Sequence, residues 1–261
     1  MYKTFLFILL TLLVSDHTQP LGELVAEVAL EAVGTPYEAG TLEKVPEELV
    51  VYTDGFDCVT LVETSLAKAW AIRSGNPSYE QFSKNLQTLR YRGEEVSYTG
   101  RLHYTTDWLY ENEQKRLLRD ITHEIGGKAY PVMLNFMSTH PDSYPQLKNN
   151  PEWISFFREK EQEICQRAYY MIPKDQIPQV ASKIVDGDII CFVTSIKGLD
   201  ISHVGIAYWK DGKLTFIHAS SAAKEVVVES KGLAGYTRDS RSNLGIMVAR
   251  PVGSAHAADL P

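Results

Sequence analysis

From residue 185 onward the chain is a succession of short segments rich in Val, Ile, Phe and Tyr, and this constrains its fold more than any other feature. The segments are 188–195 (DIICFVTS), 203–209 (HVGIAYW), 213–219 (KLTFIHA), 225–229 (EVVVE) and 245–250 (GIMVAR). Runs of this kind predict strands. Lys210-Asp211-Gly212, between the second and third, marks a hairpin. The front half has a different texture. Apolar positions recur at helical spacing over 21–33, which Gly34-Thr35-Pro36 ends, and again from Cys58 to Arg73, which Gly75-Asn76-Pro77 stops. Residues 39–55 read as loop. Further helices are expected over 78–90, 106–124 and 151–169, with an irregular aromatic and charged stretch at 91–104 between the first two. Helices followed by consecutive strands predict an α+β fold, with the helical front half packed on a C-terminal antiparallel sheet.

With 261 residues, 44% of them hydrophobic and 23% charged, the chain can bury a large core without disulfide staples. The net charge of −7 and the lack of a basic run argue against nucleic acid and anionic membrane surfaces as partners. Lys3 precedes an apolar run over 5–14 that has the form of a signal-peptide core and is too short to span a bilayer. Export is therefore expected, to the periplasm or the exterior. No Cys follows that run to carry a lipid, so no stable membrane anchor is expected. Three cysteines, Cys58, Cys165 and Cys191, make no disulfide framework and leave at least one thiol unpaired. Spacing leaves open whether Cys165 and Cys191 pair.

Cys58 follows the polar turn Asp54-Gly55-Phe56-Asp57 and opens a helix. The free N–H groups and dipole of a helix start favour an anion, which predicts a depressed thiol pKa and a nucleophile. The same N–H groups can receive the oxyanion of a tetrahedral intermediate. A Cys on the apolar face of a helix is otherwise a core residue. His203 opens one strand and His218 closes the next across the hairpin, so antiparallel pairing brings both imidazoles to one sheet edge. One can act as base and the other can orient it, completing nucleophile, base and orienter. Zinc bound by Cys58, His203 and His218 is the rival chemistry, but neither CxxC nor HExxH occurs and no carboxylate joins the set. No metal and no cofactor is expected.

Three groups of residues resemble the NlpC-type cell-wall hydrolases, papain-like cysteine peptidases that act on peptidoglycan. Gly34-Thr35-Pro36-Tyr37 with Gly40 is similar to the family's opening motif, and Phe56-Asp57-Cys58 to its nucleophile motif. Asp186-Gly187-Asp188, Ser202-His203-Val204-Gly205-Ile206 and Phe216-Ile217-His218-Ala219 are similar to its strand block. The resemblance covers about half of the chain. It implies a papain-like fold with Cys58 as nucleophile, His203 as base and His218 as orienter. It places Tyr37 beside the nucleophile and Asp57 and Ser202 at the substrate. Val59-Thr60 stand where the family usually has Ser-Gly, and a large helical insertion, about 76–170, separates nucleophile from sheet. Both departures resemble a branch that includes N-acetylmuramoyl-L-alanine amidases. The stretch from Arg90 to Trp108 is similar to that branch, with Tyr98, Arg101, His103, Tyr104 and Asp107 as its candidate substrate residues. As a wall it would set aromatic faces against sugar and Arg101 against a carboxylate.

The resemblance thus implies one catalytic domain over 21–252, with its sheet over about 185–252; the apolar run sets a leader over 1–20, and 253–261 are expected to be a tail. The chain is expected to act as a monomer on peptidoglycan or muropeptides. The amide joining N-acetylmuramic acid to L-alanine is the expected bond. The alternatives are a stem-peptide endopeptidase, cutting L-Ala-γ-D-Glu or γ-D-Glu-diamino acid, and a non-catalytic wall-binding module.

Overall fold

A computed structural model describes residues 19–253. Apart from residues 19, 20 and 253, the expected leader and tail lie outside the described residues. The elements run α1 (Leu21–Glu31), α2 (Cys58–Arg73), α3 (Tyr79–Arg90), α4 (Thr105–Gln114), β1 (Leu118–Asp120), α5 (Thr122–Ile125), β2 (Lys128–Ala129), α6 (Phe136–Thr139), α7 (Pro151–Cys165), β3 (Tyr170–Pro173), α8 (Ile177–Val180), β4 (Ile189–Thr194), β5 (Ile201–Lys210), β6 (Lys213–Ser220), β7 (Glu225–Val228), α9 (Gly232–Asp239) and β8 (Asn243–Pro251). The class is mixed α+β, with an antiparallel sheet in the order β2-β3-β8-β4-β5-β6-β7; β1 pairs with the far end of β8.

Both faces of this sheet are covered. Ile189, Cys191 and Val193 of β4 pack with α1, α2 and the inserted helices, while Ile190 and Phe192 pack with Leu233 of α9 and Ile177 of α8. Burial on both sides is why the Ile189–Thr194 segment is an unbroken apolar run rather than an alternating one. The hairpin forms as the sequence predicts: Lys210 pairs with Lys213, and Asp211 and Gly212 take φ of 50° and 75°. Two left-handed residues match the twist of the flanking strands.

The insertion differs from its expected form. The helix expected over 106–124 ends at Gln114; Arg116 takes φ of 59°, and Leu118–Asp120 then pair with Ala249–Pro251. The helix expected over 151–169 ends at Cys165, and its tail leads into β3, which also joins β8. The insertion therefore adds strands to the sheet it packs on. Local periodicity cannot register a pairing partner so distant in the chain. Helix α9, unforeseen, lies in a polar stretch with two glycines.

Buried charge ties the insertion to the helix that carries Cys58. Arg90 Nε donates to Glu63 Oε2 at 2.8 Å, and both side chains are 3% exposed. Arg90 Nη1 also donates to the Val50 carbonyl at 2.7 Å. Glu63→Ala would leave the guanidinium buried without its carboxylate. We expect a loss of about 3–5 kcal/mol of stability, read from the urea midpoint at unchanged m. A loss below about 1 kcal/mol would mean that the pair does not fasten this layer.

Candidate active site

Asp57 caps α2. Its Oδ1 accepts the Thr60 N–H at 2.8 Å, and Thr60 Oγ1 accepts the Asp57 N–H at 2.9 Å. This reciprocal box leaves the N–H groups of Cys58 and Val59 close enough to the thiol to lower its pKa. Tyr37, bridged to Phe56, lies close enough for the charges of Cys58 and Asp57 to add to the desolvation that raises its hydroxyl pKa.

The thiol occupies an opening in the sheet. Strands β5 and β6 pair from Lys210↔Lys213 to Ile206↔Ile217 and then part. Beyond that point β5 stays with β4 as far as Ile201, and β6 stays with β7 as far as Ser220. The Ala207 N–H donates to the Asp188 carbonyl just before β4. Alternation along the strand therefore aims the Val204 N–H to the other side, where β6 has left. That N–H lies close enough to the Cys58 thiol to lower its pKa. A bulge falls at the same place: Phe192 pairs with His203 but Val193 with Ile201, so Ser202 is the extra residue and is exposed. Bulges re-aim the side chains beside them, here His203.

Across the opening His203 Nε2 and His218 Nδ1 approach to 2.7 Å, their rings edge to face. The expected pairing of the two imidazoles is present, although they meet where the ladder stops rather than within it. Phe192, Phe216 and Tyr236 pack around the pair, with Phe216 4.6 Å from His218 between ring centres. With Nε2 engaged by His218, Nδ1 is the remaining ring nitrogen of His203. His218 Nε2 faces Glu229 Oε2 at 3.7 Å.

Glu229 and Tyr236 had no place in the sequence reading. A signal for Glu229 existed: His218 pairs with Val227, and the residue two beyond a partner returns to the same face. Tyr236 comes from the unforeseen α9.

Burial sets the protonation states. It pushes the Cys58 thiol up to about 11, with Asp57 adding to the rise, against the N–H groups of Val204, Cys58 and Val59. Part of the residue still reaches solvent, but packing outweighs the helix start. The expected depressed thiol pKa is thus reversed. Desolvation, then the neighbouring His218, lowers His203 to about 3; desolvation lowers His218 to about 4, partly offset by Glu229. The resting site is a neutral thiol beside neutral imidazoles.

The Arg90–Trp108 stretch divides in two. His103 lines a small apolar cavity with Val59, Val62, Leu102, Thr105, Trp108, Ile189 and Val204, beside the start of α2. Its Nε2 donates to the Tyr98 carbonyl at 2.8 Å, and Tyr98 stacks on Trp153. The remaining candidates are buried with partners inside the chain. Arg101 binds Glu43 at 2.9 Å and Glu47 at 3.0 Å. Tyr104 donates to Glu161 at 2.6 Å, and Asp107 pairs with Arg92 and Arg167. Asp200 accepts the N–H and hydroxyl of Thr106 at 2.7 and 2.8 Å, which holds the start of β5 to α4. Cys165 and Cys191 are free thiols.

Desolvation also lowers the His103 pKa to about 3. Three imidazoles that ionise near 6.5 when unfolded are thus held neutral in the folded chain. Between 6.5 and their folded values the unfolded state binds more protons, so stability falls as pH falls. The melting temperature should drop steadily from pH 6.5 to pH 5, above the range where ordinary carboxylates titrate, and His103→Gln should flatten that slope. A level profile across this window would contradict the assignment.

A family model described as AmiA-like, N-acetylmuramoyl-L-alanine amidase-like, matches residues 27–246. No curated protein gives a match. The fold is similar to that of an N-acetylmuramoyl-L-alanine amidase from Bacteroides uniformis, with 36% identity and a TM-score of 0.86 over 89% of this chain and 99% of that one. It is also similar to a Bacteroides fragilis protein provisionally described as a xylanase, with 38% identity and a TM-score of 0.82 over 86% and 99%. A Legionella pneumophila protein matches at 26% identity and a TM-score of 0.71 over 90% of each chain. On the extent of the model match and the identity to these structures, the chain belongs to the AmiA-like family of N-acetylmuramoyl-L-alanine amidase-like proteins.

Proposed function

We propose that the protein is an exported peptidoglycan amidase that cleaves the bond between the lactyl group of N-acetylmuramic acid and L-alanine, through a Cys58 thioester on a papain-like, NlpC-type framework. One observation carries the chemistry: the Cys58 thiol lies near the N–H groups that start α2 and the Val204 N–H of the strand that carries His203, with His203 bonded to His218. Family membership supports the amidase class, and the apolar run over 5–14 supports export.

Cys58 gives its proton to His203 Nδ1 as Sγ attacks the lactyl carbonyl carbon. The Cys58 N–H, with the Tyr37 hydroxyl, receives the oxyanion. Collapse breaks the C–N bond, and the amine of L-alanine leaves with the proton from His203. Water then loses a proton to His203 and attacks the thioester, releasing the muramyl acid and restoring the thiol. Since the resting groups are neutral, proton transfer accompanies attack. The steps call on no metal or cofactor, and one copy of the chain carries all of them.

The choice of bond rests on Val59. Val59, standing where the family usually has Ser, lines an apolar cavity, and Asp57 Oδ1 is occupied by the helix cap. A charged amine would be poorly solvated there. Tyr37, Asp57, His103 and the exposed Ser202 surround the reacting bond. Tyr98, Arg101, Tyr104 and Asp107, engaged internally, hold the wall in shape.

Mass spectrometry of digested muropeptides tests the assignment. Release of an intact stem peptide and a sugar without L-alanine is expected; L-alanine retained on the sugar would mean endopeptidase, and no cleavage at all would favour a wall-binding module. Cys58→Ala should lower kcat by about 10⁴-fold or more without loss of folding, and His203→Ala nearly as much, because members of such a unit act together. Undiminished turnover by Cys58→Ala would overturn the mechanism.

A further inference from the structure

We infer that Glu229 is a positioning residue that fixes the tautomer of the catalytic imidazoles; the inference rests on the thiol reading of the site. The argument follows the protons. His203 Nε2 and His218 Nδ1 are 2.7 Å apart, so one donates and the other accepts. Two neutral arrangements satisfy that bond. In the first, His203 carries its proton on Nε2 and its Nδ1 is the free base that the proposed mechanism uses. In the second, His218 donates from Nδ1, His203 is protonated on Nδ1, and it cannot take the thiol proton.

The far side of His218 decides between them. Its Nε2 is buried and, among the described residues, lacks a hydrogen-bond partner; the carboxylate oxygen Oε2 of Glu229 faces it at 3.7 Å. An acceptor there favours a proton on His218 Nε2. That leaves Nδ1 unprotonated, obliges His203 to donate from Nε2, and frees His203 Nδ1. The carboxylate is held for this task. Its other oxygen, Oε1, accepts the Lys231 N–H at 2.8 Å and meets the Ser230 hydroxyl at 3.5 Å. It contacts neither thiol nor substrate, and acts through His218.

Glu229→Gln separates this role from a structural one. The Lys231 N–H requires an oxygen at the Oε1 position, so the glutamine amide must turn its NH₂ toward His218 Nε2. That group donates, which reverses the chain and protonates His203 on Nδ1. The isosteric variant should therefore lose kcat by about 100-fold at nearly unchanged KM and melting temperature. Glu229→Leu, which dictates neither tautomer, should lose only about 10-fold. A structural role gives the opposite order.

Nitrogen-15 NMR of the histidines reads the tautomer without substrate: Nε2–H on His203 in the native protein, Nδ1–H in Glu229→Gln. Native-like turnover by Glu229→Gln, or an unchanged His203 signal, overturns the inference. Should Glu229→Leu fail to fold, Glu229→Gln and its spectrum decide alone. The two readings fail separately: an active Cys58→Ala removes the nucleophile, whereas an inactive Cys58→Ala with an unmoved His203 tautomer removes only the role of Glu229.

Discussion

Two strands that stop pairing before their ends leave backbone groups to be satisfied by something else. In this protein β5 and β6 stop at Ile206 and Ile217 while each continues along its other neighbour. The start of α2 meets the opening, and the Cys58 thiol lies close enough to the Val204 N–H to feel it. The Asp57–Thr60 box fixes where the helix begins, and the bulge at Ser202 turns His203 toward the site. Remove the opening and the thiol has no place in the sheet, while the two imidazoles would be spaced by the ladder instead of meeting at 2.7 Å.

Desolvation then governs how the site behaves. A thiol and imidazoles buried this deeply cannot hold separated charges cheaply at rest. Aromatic rings on one side and apolar strands on the other keep the groups neutral. Under the proposed thiol mechanism, charge develops only when a substrate supplies the carbonyl that receives it. The same burial makes proton location decisive, since neutral imidazoles differ only in which nitrogen carries the hydrogen.

The insertion serves as a frame. Its arginines are spent on carboxylates within the chain: Arg90 on Glu63, Arg101 on Glu43 and Glu47, and Arg92 and Arg167 on Asp107. Buried pairs of this kind add little net stability but enforce geometry, because each charge is costly without its partner. The result carries His103 and Thr105 to the cavity beside Val59 and ties the start of β5, through Asp200 and Thr106, to α4.

The sequence by itself determined the periodic elements and the chemistry that local pattern can announce. Helix α2 begins at Cys58 because Asp57 and Thr60 cap it, and the β5–β6 hairpin forms because Asp211 and Gly212 accept left-handed backbone; both are effects within four residues. The placement of Cys58, His203 and His218 followed from those elements. Tertiary structure decided what depends on distant partners. It made strands of 118–120 and 170–173, because β8 offered them an edge. It turned Arg101, Tyr104 and Asp107 inward, because Glu43, Glu47, Glu161, Arg92 and Arg167 were there to meet them. It raised the thiol pKa where the helix start alone would lower it, because desolvation is the sum of everything packed around a group. It also set the Glu229 carboxylate beside His218 Nε2, through the register of β6 and β7.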